Sequence, residues 1–185
     1  MTRGRIRVGA VVAGAIVIAL ALWLVMSARK TQTVLSGPVV RSAPPAEHAP
    51  LSERGLIADA DQLHMPVYWV GPRANVGYEL DLTQGGRTYV RYLPRGVAAG
   101  DPRPDFLTVG TYDLPHPLAD LRTAGHKRGG ETVHLRGGAV AFMDRSRPTS
   151  AFIVGRNWKA QVEVYDPTPG RAMELVLKGD VQPIR

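Results

Sequence analysis

Histidine is the side chain best suited to moving protons or holding metal near neutral pH, and this chain has five: His48, His64, His116, His126 and His134. No two of them stand two, three or four residues apart, the local spacing of many zinc sites. His116 precedes Asp120 by one helical turn, but Pro117 makes His116 a cap or loop residue. Asp101, Asp105 and Asp113 lie in or beside GDPRPDFLTVGTYD. Carboxylates brought close can share a proton or bind a cation. Asp and Pro also dominate turns for local reasons, and Arg103 stands among them to neutralise charge. Ser146 and Ser150 have no recognisable local base. Nucleophile elbow, phosphate loop, zinc-helix, EF-hand and dinucleotide motifs are all missing from the sequence, so it points to no metal, no cofactor and no catalytic residue. Zero Cys removes thiol chemistry, disulfides and lipidated Cys anchors.

Aromatic residues are the remaining resource. Tyr68, Trp69, Tyr78, Tyr89 and Tyr92 fall within 25 residues, on segments with strand character. On alternating strands half of such side chains face away from the core, where they make a ligand or partner surface. Burial explains the same pattern, because aromatics hide large areas. Tyr68, Trp69, Tyr89 and Tyr92 are the candidate binding residues.

The elements that must position these groups begin near Gln62. PVYWV at 66–70 is aromatic and β-branched. Tyr78, Leu80 and Leu82 alternate with Glu79, Asp81 and Thr83, which predicts a strand with one buried face. Gly85-Gly86 turns the chain into a strand over 87–93, a hairpin signal because both glycines can take positive φ. A Gly/Pro loop over 94–104 leads to a strand over 106–112. Pro117 opens a helix that Gly129-Gly130 stops. Strands over 131–135 and 139–143 join through Arg136-Gly137-Gly138, and strands over 151–154 and 160–165 follow. The two Arg-Gly-Gly triplets read as turns rather than RNA-binding repeats. Thr168 caps a last helix with Pro169 in its first position, and Gly179 closes it. This order predicts an α+β domain over 62–185: a mainly antiparallel sheet of about seven strands with two short helices on one face.

The formal charge of +7 invites a nucleic-acid reading, but its distribution argues otherwise. Arg3, Arg5, Arg7, Arg29 and Lys30 bracket one apolar segment; residues 31–185 hold 18 basic and 16 acidic residues, a net of +2. Such a near-neutral domain has little pull on phosphate, so no nucleic-acid partner is expected. The apolar segment, Val8 to Met26, is 19 residues without a charge. At 1.5 Å per residue it is about 28 Å long, close to a bilayer's hydrocarbon thickness. A cleaved signal peptide has a shorter apolar region and a small residue where Met26 stands. The expectation is therefore an uncleaved single-span anchor, with a cytoplasmic tail over 1–7 and a Pro-containing linker over 27–61, within which Leu51–Leu56 could begin a short helix because Ser52 and Glu53 are good first-turn residues. Three Arg in that tail keep the N-terminus in the cytoplasm and put the domain outside.

The segments PVYWVGPRANVGYEL, GGRTYVRYLPRGVAAGDPRPDFLTVGTYDLP and QVEVYDPTPGRAMELV resemble a group of uncharacterised, single-pass membrane-anchored proteins of GC-rich bacteria. The resemblance implies the anchored plan and carries no known activity, so no functional residue comes with it. The resulting expectation is a module at the cell membrane that binds a protein or small-molecule partner of the cell envelope. The competing expectation is a membrane-tethered hydrolase using Asp and His residues gathered from loops.

Overall fold

The computed structural model describes residues 49–185. The expected tail, the apolar span, His48 and most of the expected linker lie outside the described residues. No helix among the described residues is long and apolar enough to cross a membrane.

The elements run α1 (Glu53–Asp61), β1 (Tyr68–Trp69), β2 (Val76–Leu82), β3 (Arg87–Pro94), β4 (Thr108–Asp113), α2 (Pro117–Gly125), β5 (Gly130–His134), β6 (Val140–Asp144), β7 (Ser150–Val154), β8 (Ala160–Tyr165), α3 (Arg171–Lys178) and β9 (Gln182–Pro183). Seven strands form one sheet in the order β2-β3-β4-β8-β7-β6-β5. Every neighbouring pair in it is antiparallel. The short strands β1 and β9 pair separately. The fold is α+β, as the strand and turn signals require.

Register fixes two faces. On the first, Tyr78, Val90, Val109, Val162, Val164, Ala151 and Ile153 build the main core with Leu56 and Ala60 of α1 and Ala172, Met173, Leu175 and Val176 of α3. On the second, Val140, Phe142 and Val154 pack with Leu121 of α2. The expected pair of helices on one face is therefore corrected to three helices on two faces. The reason lies in β6 and β7, whose residues are apolar at both parities: Ala141 and Ile153 point one way, Val140 and Val154 the other. A strand apolar on both sides needs cover on both sides.

Three local expectations also change or sharpen. The linker expected to reach residue 61 ends earlier: Leu51 exchanges backbone hydrogen bonds with Tyr78 at 2.7 and 2.9 Å, and Leu56 is fully buried. Ser52 caps α1 by accepting the Gly55 N–H at 3.1 Å. At the first hairpin only Gly86 takes positive φ, because the Thr83 carbonyl accepts the Gly86 N–H and the chain closes with a single left-handed residue. Helix α3 starts at Arg171, not beside Pro169. Asp166 accepts the Thr168 N–H at 2.8 Å, and this Asx turn carries the chain as far as Gly170 before the helix can start.

Candidate functional site

The four aromatic candidates separate. Tyr68, Trp69 and Tyr92 are buried, at 6%, 5% and 3% exposure. Tyr92 stands against Tyr78 edge to face at 5.2 Å. Its hydroxyl accepts the Val70 N–H at 2.9 Å and donates to the Gly71 carbonyl at 3.1 Å, tying β1 to β3. Tyr68 stacks against Trp158 at 4.4 Å. These three belong to the main core, so the packing takes the burial alternative for them. Tyr89 alone is half-buried and lies on the second face.

The register shows what surrounds it. Asp81 pairs with Tyr89, Tyr89 with Gly110, and Gly110 with Glu163. One row over, Arg87 pairs with Tyr112, and Tyr112 with Gln161. All seven share the second face, on the β2-β3-β4-β8 half, whereas Leu121 of α2 packs with Val140, Phe142 and Val154 of β6 and β7. Gly110 has no side chain, so the Tyr112 ring lies across it; a Cβ there would meet the Tyr112 hydroxyl at 2.9 Å. Laid flat, Tyr112 donates its hydroxyl to Glu163 at 2.6 Å. Tyr89 meets Tyr112 edge to face at 6.0 Å, and the Arg87 guanidinium stands over the Tyr112 ring at 5.8 Å.

Burial dominates the electrostatics of this strip. Glu163 is 5% exposed. Loss of solvent raises its carboxyl above the usual range, while hydrogen bonds from Tyr112 and Ser150 and the charge of Arg147 pull the other way. Burial likewise pushes the Tyr112 phenol well up, and the charge of Glu163 and the neighbouring Tyr89 push in the same direction. Asp81 is raised by desolvation first and by Glu79 second, with Arg91 opposing.

The Gly/Pro loop borders the strip. Arg91, 5% exposed, bridges to Glu79 at 2.6 Å. Its other guanidinium nitrogen donates to the Asp101 and Arg103 carbonyls at 2.7 and 2.8 Å. Arg91 and Arg103 flank the Phe106 ring, each 5.1 Å from its centre. Arg103 also grips Asp101, whose carboxyl is held below its usual value by hydrogen bonds from Arg103. Asp101 thus does turn and anchoring work in this loop, while Asp105 and Asp113 are exposed. His64, His116, His126 and His134 are all exposed. No three His, Asp or Glu side chains among the described residues are grouped to hold a metal ion.

Chemically, the strip offers a half-buried aromatic pair, an arginine without a carboxylate partner among the described residues, and a buried acid beneath. Stacking and charged hydrogen bonds to a flat or hydroxylated group are the chemistry open to such a surface. Sequence reasoning missed Arg87, Tyr112, Gln161 and Glu163. The signal for the last two was present: in QVEVY they occupy the parity opposite Val162 and Val164. No protein-family model matches this chain, and no curated protein or solved structure is significantly similar to it.

Proposed function

We propose that this chain is a single-pass membrane protein, N-terminus in the cytoplasm, which displays its α+β domain outside as a binding module. The anchor and tether come from the uncharged run Val8–Met26 and the Pro-containing stretch after it. The observation that carries the binding assignment is the strip of Asp81, Arg87, Tyr89 and Tyr112 over buried Glu163. A sheet face given only to folding would bury apolar side chains there, as β6 and β7 do under α2. The ligand is a protein segment or small molecule of the cell envelope that stacks on Tyr89 and pairs with Arg87.

Two measurements test the two halves. With no native Cys, a single Cys at Ala99 in the Gly/Pro loop reports topology: the proposal expects an impermeant maleimide to label it in intact cells with the protein in the membrane fraction. Labelling only after detergent opening reverses the orientation and sinks the envelope reading. For binding, envelope compounds that raise the melting temperature saturably are compared in Tyr89→Ala and Arg87→Ala proteins. Loss of the shift in both variants is expected; a shift unchanged in both puts the ligand elsewhere.

A further inference from the structure

Charge is unevenly divided across the sheet. Residues 117–159, which supply α2, β5, β6, β7 and their turns, carry eight basic and three acidic residues, a net of +5. The other described residues, 49–116 and 160–185, carry nine basic and twelve acidic, a net of −3. Two of the three acids on the basic side are already engaged, Glu131 by Arg145 at 3.0 Å and Asp144 by Arg147 at 3.6 Å. Six cations remain there with no ion pair among the described residues: Arg122, Lys127, Arg128, Arg136, Arg156 and Lys159. All six are exposed.

The fold brings the turns that carry several of them together at the two ends of β6 and β7. The Arg145 N–H donates to the Gly129 carbonyl at 2.9 Å, setting the β6–β7 turn beside Lys127 and Arg128 at the end of α2. At the other end of the same strands, the Arg156 side chain lies against Gly138, which brings the β7–β8 loop to the turn bearing Arg136. The nearby Trp158 ring is committed to Tyr68, so these cations come without an exposed aromatic on which a nucleic-acid base would stack.

We propose that this basic half docks on the anionic phospholipid headgroups of the bilayer, and this rests on the membrane-anchored reading above. Complementary charge is one argument: clustered Lys and Arg near a surface are drawn to anionic lipid within a Debye length. Reach is the other. From Met26 to Ala49 the chain has 22 intervening residues, at most about 80 Å when extended, so the domain stays near the surface it would touch. Docking also orients the molecule, with its acidic half away from the lipid.

The test uses the full chain with a donor dye on Asn157→Cys and acceptor dye on lipid headgroups. Flotation with neutral phosphatidylcholine vesicles reads the anchor alone. Energy transfer is then compared between phosphatidylcholine and phosphatidylcholine containing phosphatidylglycerol. Docking predicts a several-fold rise in transfer on the anionic vesicles, abolished by 1 M salt, on the order of a 3 Å screening length. The rise is also lost in the Arg136→Glu/Arg156→Glu/Lys159→Glu protein. Equal transfer on both compositions overturns docking, as does a rise that survives the triple substitution. Binding to a single-stranded oligonucleotide that anionic vesicles fail to displace overturns the choice of lipid. A chain that leaves neutral vesicles but binds anionic ones in a salt-dependent way keeps docking and removes the anchor.

Discussion

Glu163 shows how one residue's surroundings set a measurable property. Its carboxyl, ordinarily near 4.5, is raised in the folded chain because burial removes water from the charged form. The folded protein therefore holds this proton to a higher pH than the unfolded one does. The stability Glu163 contributes is complete below about 4.5 and is lost as pH climbs through the raised folded value. Glu163→Gln keeps an acceptor for the Tyr112 hydroxyl without a charge to desolvate. It is expected to unfold at higher urea than the parent at pH 7 and to show no such gain near pH 4. Tyr112→Phe should do the reverse, costing about 1–3 kcal/mol at neutral pH by leaving a buried carboxylate without its donor, with a smaller loss in acid. Urea midpoints of the three proteins across pH 4–8 check both, and pH-independent differences would contradict this account.

At the scale of elements, Arg91 joins strand β3 to the Gly/Pro loop through one planar fork: Glu79 on one side, two loop carbonyls on the other. Arg91→Met leaves Glu79 buried without its cation and removes a donor from both carbonyls. Breaking such a pair costs about 3–5 kcal/mol. Faster amide exchange across 95–105 is the expected accompaniment, while α2 and β5–β7 keep the parent's pattern. Arg91→Lys restores the charge without the fork and should fall between. Little of this was legible in the sequence, where Arg91 is one more polar residue in an alternating strand. The strands themselves were legible because alternation and glycine turns are local: β2, β3, β6 and β8 lie where Tyr78–Leu82, Arg87–Leu93, Ala139–Met143 and Ala160–Tyr165 place them. Which strands become neighbours is not local. The placement of β8 between β4 and β7 joins Gln161 and Glu163 to Tyr112, and sequence spacing carries no trace of that approach. The burial of Tyr68, Trp69 and Tyr92 has the same origin, since it depends on the β1–β9 pair closing over the first face.

For the described residues as a whole, the decisive fact is that their three α-helices are eight or nine residues long. Isolated helices this short are not stable in water, so each persists through what it covers. Helix α1 covers Tyr78 and the end of the core that α3 does not reach, and Pro50 and Leu51 lead into it along β2. Pro50 packs on Gly77 where any side chain would collide. A domain cut at residue 62, where strand signals begin, loses a fully buried Leu56 and the two hydrogen bonds between Leu51 and Tyr78. Burying one Leu side chain is worth about 2–3 kcal/mol, and each backbone hydrogen bond about 0.5–1.5 kcal/mol net. The loss of about 3–6 kcal/mol is a large part of the 5–15 kcal/mol that holds a typical domain together. Residues 62–185 are therefore expected to unfold at a clearly lower urea midpoint than residues 49–185, or to melt without cooperativity. Matching midpoints would show that α1 is an appendage and that the core closes without it. The size of the loss decides where the tether ends, because only residues whose removal leaves stability unchanged can serve as one.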